Sequence, residues 1–253
     1  MAQELFLDPP MPDILAQWRF YVAALQLQPG QVVIDIGCNN GEAERLLLSE
    51  YPLIGRVIGI EKDQDRYSEA VERWQDTGSS AQVEFRLADA QQLPFPDDYA
   101  DRILCVETLE WVKQPDKALQ EIRRVLKTGG LAVVIHTDFD TQIFNAADKR
   151  RARKIVYLFS DAGPNGQIGR KLYGLCKQAG FQAVEPMVYC LTNQEWRPDL
   201  YGYKVARMMV DWLNSQSLIP EEELKDWLVD LETQQANGCF FYSINRYICC
   251  CRK

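Results

Sequence analysis

Asp35-Ile36-Gly37-Cys38-Asn39-Asn40-Gly41-Glu42 closes one apolar run and opens a helical one. Upstream, Gln31–Ile36 is short and rich in β-branched residues, as in a strand buried within a parallel sheet. Downstream, Glu42–Glu50 carries the apolar spacing of a helix. A glycine where strand passes into helix permits a tight turn and lets a ligand approach the backbone without meeting a Cβ. The helix that follows offers unpaired N–H groups and the positive end of its dipole, suited to a carboxylate or phosphate.

Outward from this loop the alternation continues. Arg56–Ile60, Gln82–Leu87, Asp101–Val106 and Leu131–His136 predict further strands, and Asp65–Gln75 and Pro115–Leu126 predict helices. Lys127-Thr128-Gly129-Gly130 reads as a helix stop. Repeated strand–helix units imply a parallel sheet with right-handed crossovers, whose ligands bind at the carboxyl ends of the strands. In the second half, Lys149–Ser160 and Gly169–Ala179 predict helices and Phe181–Cys190 a strand. Trp196–Ser215 and Glu221–Gln235 predict two more helices, the latter started by Pro220, and Cys239–Cys251 a last strand. Ile14–Leu25 predicts an amphipathic helix near the amino terminus. The expected fold class is α/β, a Rossmann-like, seven-stranded, mostly parallel doubly wound sheet with a small helical cap. Residues 1–30 would form a helical lid, 31–192 and 237–253 the core, and 193–236 the inserted cap.

The chain has 253 residues, 47% of them hydrophobic, enough for one large core. A formal net charge of −8 disfavours a phosphate backbone as partner. The basic run Lys149, Arg150, Arg151, Arg153 and Lys154 reads as a solvated helix face. Met1–Pro10 lacks the pattern of a secretion signal, and no apolar run approaches the ~20 residues of a membrane span. A cytoplasmic monomer or homodimer without nucleic acid or membrane insertion is expected. The eight cysteines form no CxxC pair, and His136 has no zinc-type spacing to any of them, so no metal is expected.

Two acids carry further meaning. Glu61 ends the second strand 20 residues after Gly41, where a carboxylate accepts hydrogen bonds from a ribose diol. Asp89, with Ala90 after it, ends the third strand, where an acid and a backbone N–H suit the edge of an adenine.

With these signals in register, the chain resembles the class I S-adenosylmethionine-dependent methyltransferases, particularly the broad group similar to the ubiquinone/menaquinone-type enzymes. The resemblance rests on Val33–Gly41, Ile58-Gly59-Ile60-Glu61, Ala88–Phe95, Asp101–Val106 and Val125–Gly130. It implies S-adenosyl-L-methionine as cofactor and S-adenosyl-L-homocysteine as product. Gly37, Asn39 and Gly41 would shape the loop around the methionine part, with Asp35 beneath it. Glu61, with Lys62 beside it, would hold the ribose, and Asp89 with Ala90 the adenine. The backbone at Glu107 would face the amino group, and Arg19 would reach the carboxylate. Asn39 stands where relatives usually have glycine, and asparagine tolerates positive φ better than most side-chain-bearing residues. The quinone enzymes' local signatures are missing after the fourth strand, which reads Glu107-Thr108-Leu109-Glu110-Trp111.

A dinucleotide fingerprint starting at Gly37 would need glycines where Asn39 and Glu42 stand, so a nicotinamide cofactor is not expected. For the acceptor, His136 is the candidate general base and Asp138 a second catalytic group. Asp140 would orient a cationic amine, and Trp111, Trp196, Tyr203 and the tyrosine of Tyr21-Val22 would line its site. The expected reaction is methyl transfer to nitrogen or oxygen of a small molecule, such as a polar amine in specialised biosynthesis. The alternatives are a lipid or quinone C- or O-methyltransferase, and a non-catalytic cofactor-binding protein.

Overall fold

A computed structural model describes residues 11–75 and 82–253. Residues 1–10, part of the expected lid, lie outside the described residues.

Helix α1 covers Pro12–Ala24. Strand β1 (Val32–Ile36) enters the glycine loop, and α2 (Glu42–Glu50) leaves it. Then come β2 (Arg56–Glu61), α3 (Gln64–Trp74), β3 (Val83–Leu87) and β4 (Ala100–Val106). A short 3-10 turn at Leu109–Trp111 precedes α4 (Pro115–Val125) and β5 (Leu126–Thr137). A second 3-10 turn at Phe139–Thr141 leads to the short β6 (Ile143–Phe144). The chain ends with α5 (Lys149–Ala162), α6 (Ile168–Gln178), β7 (Ala183–Asn193), α7 (Tyr201–Ser215), α8 (Glu221–Ala236) and β8 (Tyr242–Arg252).

The sheet runs β3-β2-β1-β4-β5-β8-β6, with β7 also paired to β8. Strands β1 to β5 are mutually parallel, whereas β6 and β8 are antiparallel. The order reverses between β1 and β4, where a doubly wound sheet opens a crevice for ligands. Eight strands stand where seven were expected, because the two-residue β6 is too short for any periodicity to announce it.

Several boundaries also moved. Strand β5 begins at Leu126, so Lys127–Gly130 belongs to a strand with Gly129 at φ +77°, rather than to a helix end. Helix α7 begins at Tyr201 instead of Trp196, since Pro198 biases Arg197 away from helical backbone.

Two compact units divide the chain. The strand unit holds Trp18–His136, Lys171–Met187 and Tyr247–Lys253. Its central strands read Val33, Ile34, Ile36, Ile103, Leu104, Val133 and Val134, all buried, as both faces of a parallel sheet require. The described part of the helical unit holds residues 11–17, Thr137–Arg170 and Val188–Arg246. Its core is aromatic: Phe144 meets Trp227 edge-on at 5.0 Å and Tyr242 at 4.6 Å. No described helix is long and apolar enough to cross a membrane.

Candidate functional site

The glycine loop lies at the carboxyl end of β1 in the strand unit. Gly37 sits at φ +78°, and a Cβ there would lie 2.1 Å from Thr108 Oγ1. Only glycine meets both conditions. The N–H groups of Gly37 and Cys38 both donate to the Ile60 carbonyl, at 2.7 and 3.0 Å, tying the loop to β2. Gly41, at φ +80°, leaves no room for a Cβ beside Trp74 and Phe85, each 2.8 Å away, and its carbonyl accepts from Trp74 Nε1 at 3.0 Å. Asn39 takes φ +53°, the left-handed region that asparagine tolerates.

Glu61 fastens this loop from β2. One carboxylate oxygen accepts the Asn39 N–H at 2.9 Å. The other accepts from Lys62 and Asp63 at 2.7 and 2.9 Å. Four lone-pair positions on a carboxylate leave capacity for a ribose hydroxyl beyond these three bonds. The spacing from Gly41 located Glu61 but carried no sign that it also orders the loop.

Beneath the loop lies a buried acidic pair. Burial, with the Glu61 charge adding to it, pushes Asp35 up to about 7. Burial and the neighbouring Asp35 push Glu44 well above the usual carboxylate range. Neither Glu44 oxygen finds a hydrogen-bond partner among the described residues. Sequence reasoning missed Glu44, although an acid sharing the leucine face of α2 is a readable oddity. Glu42 pairs with Arg45 at 2.8 Å and with Arg73.

At the end of β3, Asp89 accepts from Lys62 Nζ at 2.6 Å and from the Gln91 N–H at 2.9 Å. Burial would raise its pKa, but these bonds and the lysine charge prevail and hold it down to about 2. Lys62 therefore reaches Asp89. Ala90, next to Asp89, is buried.

After β4, Glu107 occupies φ +51°, a strained conformation for a glutamate, and its N–H donates to Ile135 at 3.0 Å. The Thr108 hydroxyl lies within hydrogen-bond distance of the Ile36 carbonyl, at 2.8 Å, which fastens this segment to β1. Trp111 ends the 3-10 turn and is half exposed.

Other candidates are placed differently from expectation. Arg19 donates to Glu50 at 2.9 Å, at the far end of α2 from the glycine loop. Helix rise puts that end about 12 Å from Glu42, so Arg19 is not brought to the loop. The Tyr21 side chain is fully buried against Trp18, with ring centroids 5.7 Å apart, and is a core residue. His136 is also fully buried, and burial drives its imidazole down to about 3, which favours the neutral ring and makes it a weak base.

Asp138 lies in the helical unit, buried and held by two bonds from Arg170, one of them 2.7 Å long. Arg170 also reaches Asp140 at 2.9 Å. The guanidinium thus occupies the carboxylates assigned to catalysis and to an amine, a partner that sequence separation concealed. Trp196 and Tyr203 do come together, with centroids 4.7 Å apart. A cavity of about 550 Å³ within this unit is lined in part by Asp140, Phe144, Lys149, Arg153 and Tyr157. From the basic run, Lys154 pairs with Glu223 at 2.8 Å and Arg151 with Asp226 at 3.3 Å, so α8 neutralises two of its charges. Arg246, which the sequence reading passed over, is buried, donates to Gln17 at 3.0 Å, and lies 4.8 Å from the Tyr201 ring centroid. All eight cysteines are free.

Residues 34–134 match the family model described as methyltransferase domain. Among curated proteins, the chain is 30% identical over 228 residues to an uncharacterized 37.1 kDa protein in transposon TN4556 of Streptomyces fradiae. That alignment covers 89% of this chain and 63% of the relative. It is 32% identical over 131 residues to the ubiquinone/menaquinone biosynthesis C-methyltransferase UbiE of Vibrio vulnificus, covering 52% of this chain and 50% of that protein. The chain thus spans between half and two thirds of the length of these relatives. Among solved structures, it is similar to Haemonchus contortus phosphoethanolamine N-methyltransferase 2 in complex with phosphomonomethylethanolamine and S-adenosylhomocysteine. The TM-score is 0.57 at 16% identity, covering 93% of this chain and 53% of the other, a likeness of fold.

Proposed function

We propose, from its membership of the class I S-adenosylmethionine-dependent methyltransferases, that this chain transfers a methyl group from S-adenosylmethionine to nitrogen or oxygen of a small molecule. One observation carries the reading. The glycine loop, Glu61, Asp89 and the Glu107 segment converge on a single edge of the parallel sheet, and hydrogen bonds among them hold that edge in shape.

The residues fit the cofactor. Gly37 and Gly41 keep the loop free of Cβ atoms, and α2 begins without a side-chain cap, leaving its first N–H groups for a carboxylate. Glu61 retains acceptor capacity for ribose, and Asp89 beside Ala90 suits an adenine edge. The bound cofactor supplies an activated methyl on sulfur. What the chain contributes is alignment for in-line displacement, and orientation of this kind is worth roughly 7–11 kcal/mol.

Burial disfavours the charged form of His136, and Arg170 engages the Asp138 carboxylate. The acceptor in this reading presents its lone pair without their help. In the helical unit, the paired rings of Trp196 and Tyr203 remain the candidates for acceptor contact, whereas Asp140 is engaged by Arg170. Thr137–Arg170 groups with Val188–Arg246 instead of with the strands, so the expected division into 31–192 with 237–253 and 193–236 is not kept; in this reading the protein works in the cytoplasm as a monomer or homodimer. A quinone C-methyltransferase is the second reading, favoured by the 32% identity to the Vibrio vulnificus enzyme.

Calorimetry with S-adenosylhomocysteine, followed by transfer of labelled methyl across a panel of amines, phenols and quinols, tests the proposal. Binding and labelled amine or phenol are expected. Absence of binding, with a nicotinamide nucleotide bound instead, overturns the cofactor; labelled quinol alone overturns the acceptor.

A further inference from the structure

Among its described residues, the strand unit holds a cluster of ligating side chains that cofactor binding leaves unused. Strands β4 and β5 pair in parallel with Val106 opposite Ile135, so Glu107 and His136 leave neighbouring strand ends side by side. The 3-10 turn at Leu109–Trp111 then folds Glu110 back toward them. Each of Glu107, Glu110 and His136 offers a ligand atom within 4.8 Å of the other two, and all three side chains are buried. The imidazole shows what is missing. Its Nδ1 has no hydrogen-bond partner among the described residues, and its Nε2 receives only a long 3.4 Å approach from the Leu109 N–H.

We propose that Glu107, Glu110 and His136 form a divalent-cation site beside the glycine loop. A neutral imidazole with two carboxylates suits Zn²⁺, and also Mn²⁺ through its two oxygen ligands, better than Ca²⁺, which takes oxygen ligands alone. Bonds to zinc are about 2.0–2.2 Å long, which puts tetrahedral ligand atoms about 3.4 Å apart, so atoms within 4.8 Å of one another need to close by at most about 1.4 Å. Three protein ligands leave coordination positions open for water or an acceptor oxygen. Thr108, between Glu107 and the turn, touches the Ile36 carbonyl, so the cation would sit against the loop that grips the cofactor.

Its use narrows the choice between nitrogen and oxygen, and this part rests on the methyl-transfer reading. A hydroxyl acceptor on the cation would release its proton to solvent. Its oxygen would then form the new C–O bond as the sulfonium S–C bond breaks, leaving the ether and S-adenosylhomocysteine.

The test uses the full chain after treatment with a chelator. Mn²⁺ titration followed by electron paramagnetic resonance, with Zn²⁺ in competition, is expected to show one cation per chain. His136→Asn and Glu110→Gln should each weaken binding tenfold or more while S-adenosylhomocysteine still binds, which reports folding. Should both variants misfold, the rise in wild-type melting temperature with Mn²⁺ concentration carries the test. A wild-type chain that takes up neither ion, gains no thermal stability from Mn²⁺, or folded variants that bind it equally well, overturns the site. A chain that binds Mn²⁺ yet methylates hydroxyl acceptors at the same rate after chelation overturns only the use.

Discussion

The glycine loop and the α5–α8 pair of the helical unit are held by different means. Around Gly37 the fastening is backbone to backbone or backbone to carboxylate: Gly37 and Cys38 to Ile60, Asn39 to Glu61. Between α5 and α8 the fastening is side chain to side chain, Lys154 to Glu223 and Arg151 to Asp226. Backbone positions tolerate few residue types, because φ and the absence of a Cβ decide them. Exposed ion pairs between long side chains tolerate many, because solvent screens them and each contributes little. A loop of the first kind keeps one shape, whereas a surface of the second kind tolerates substitution.

Gly37→Ala is the strongest way to break this contrast. It places a Cβ against Thr108 at φ +78°, costing on the order of 1–3 kcal/mol in backbone strain alone. S-adenosylhomocysteine binding should become undetectable by calorimetry. Gly163→Ala is the matched control in the helical unit, with φ −80° and the nearest atom 3.9 Å away, and should leave melting and binding unchanged. Retention of binding by Gly37→Ala would show that the loop's shape is not decisive.

Next, Glu61→Gln replaces a carboxylate that accepts three backbone N–H groups and is assigned the ribose. Hydrogen bonds to charged groups are worth about 1.5–3 kcal/mol each, so calorimetry should read affinity at least tenfold lower. Asp138→Asn should instead lower thermal stability, by about 1–3 kcal/mol given that Arg170 is 46% exposed, with cofactor affinity held. Loss of affinity there would blur the division between the two regions.

Asp35 supplies a pH-dependent test. Its folded pKa of about 7 exceeds the unfolded value near 4, so the folded state holds the proton more tightly between them. Its effect on stability is therefore most favourable below about pH 4 and declines as pH rises toward 7. Asp35→Asn should flatten that decline in melting temperature, with Glu44 leaving a residual slope of the same sign. The smallest effect is expected for Lys154→Ala, whose ion pair is half exposed and worth about 0.2–1 kcal/mol in denaturant unfolding.

Much of the strand unit was legible because its constraints are local. Period and β-branching located β1 to β5, and the distance from Gly41 located Glu61. Asn39 at positive φ was readable from residue type. Other placements were hidden by sequence distance. Arg170 lies 32 residues after Asp138, and nothing in the composition of either segment announces their pairing. Arg19 was assigned by resemblance, and its pairing with Glu50 depends on where α1 runs along α2. The strand β6 is two residues long, below the reach of any period.

By itself, then, the amino-acid order determined the alternating strands and helices, the glycine loop and the acids at the strand ends. Each follows from backbone geometry within a few residues. Only the folded chain decided which side chains are charged, paired or buried. It left His136 neutral, closed Asp138 under Arg170, and set Glu107 against His136 through the register of β4 and β5. Desolvation and pairing depend on neighbours that the chain brings from far along its length, and no local pattern encodes them.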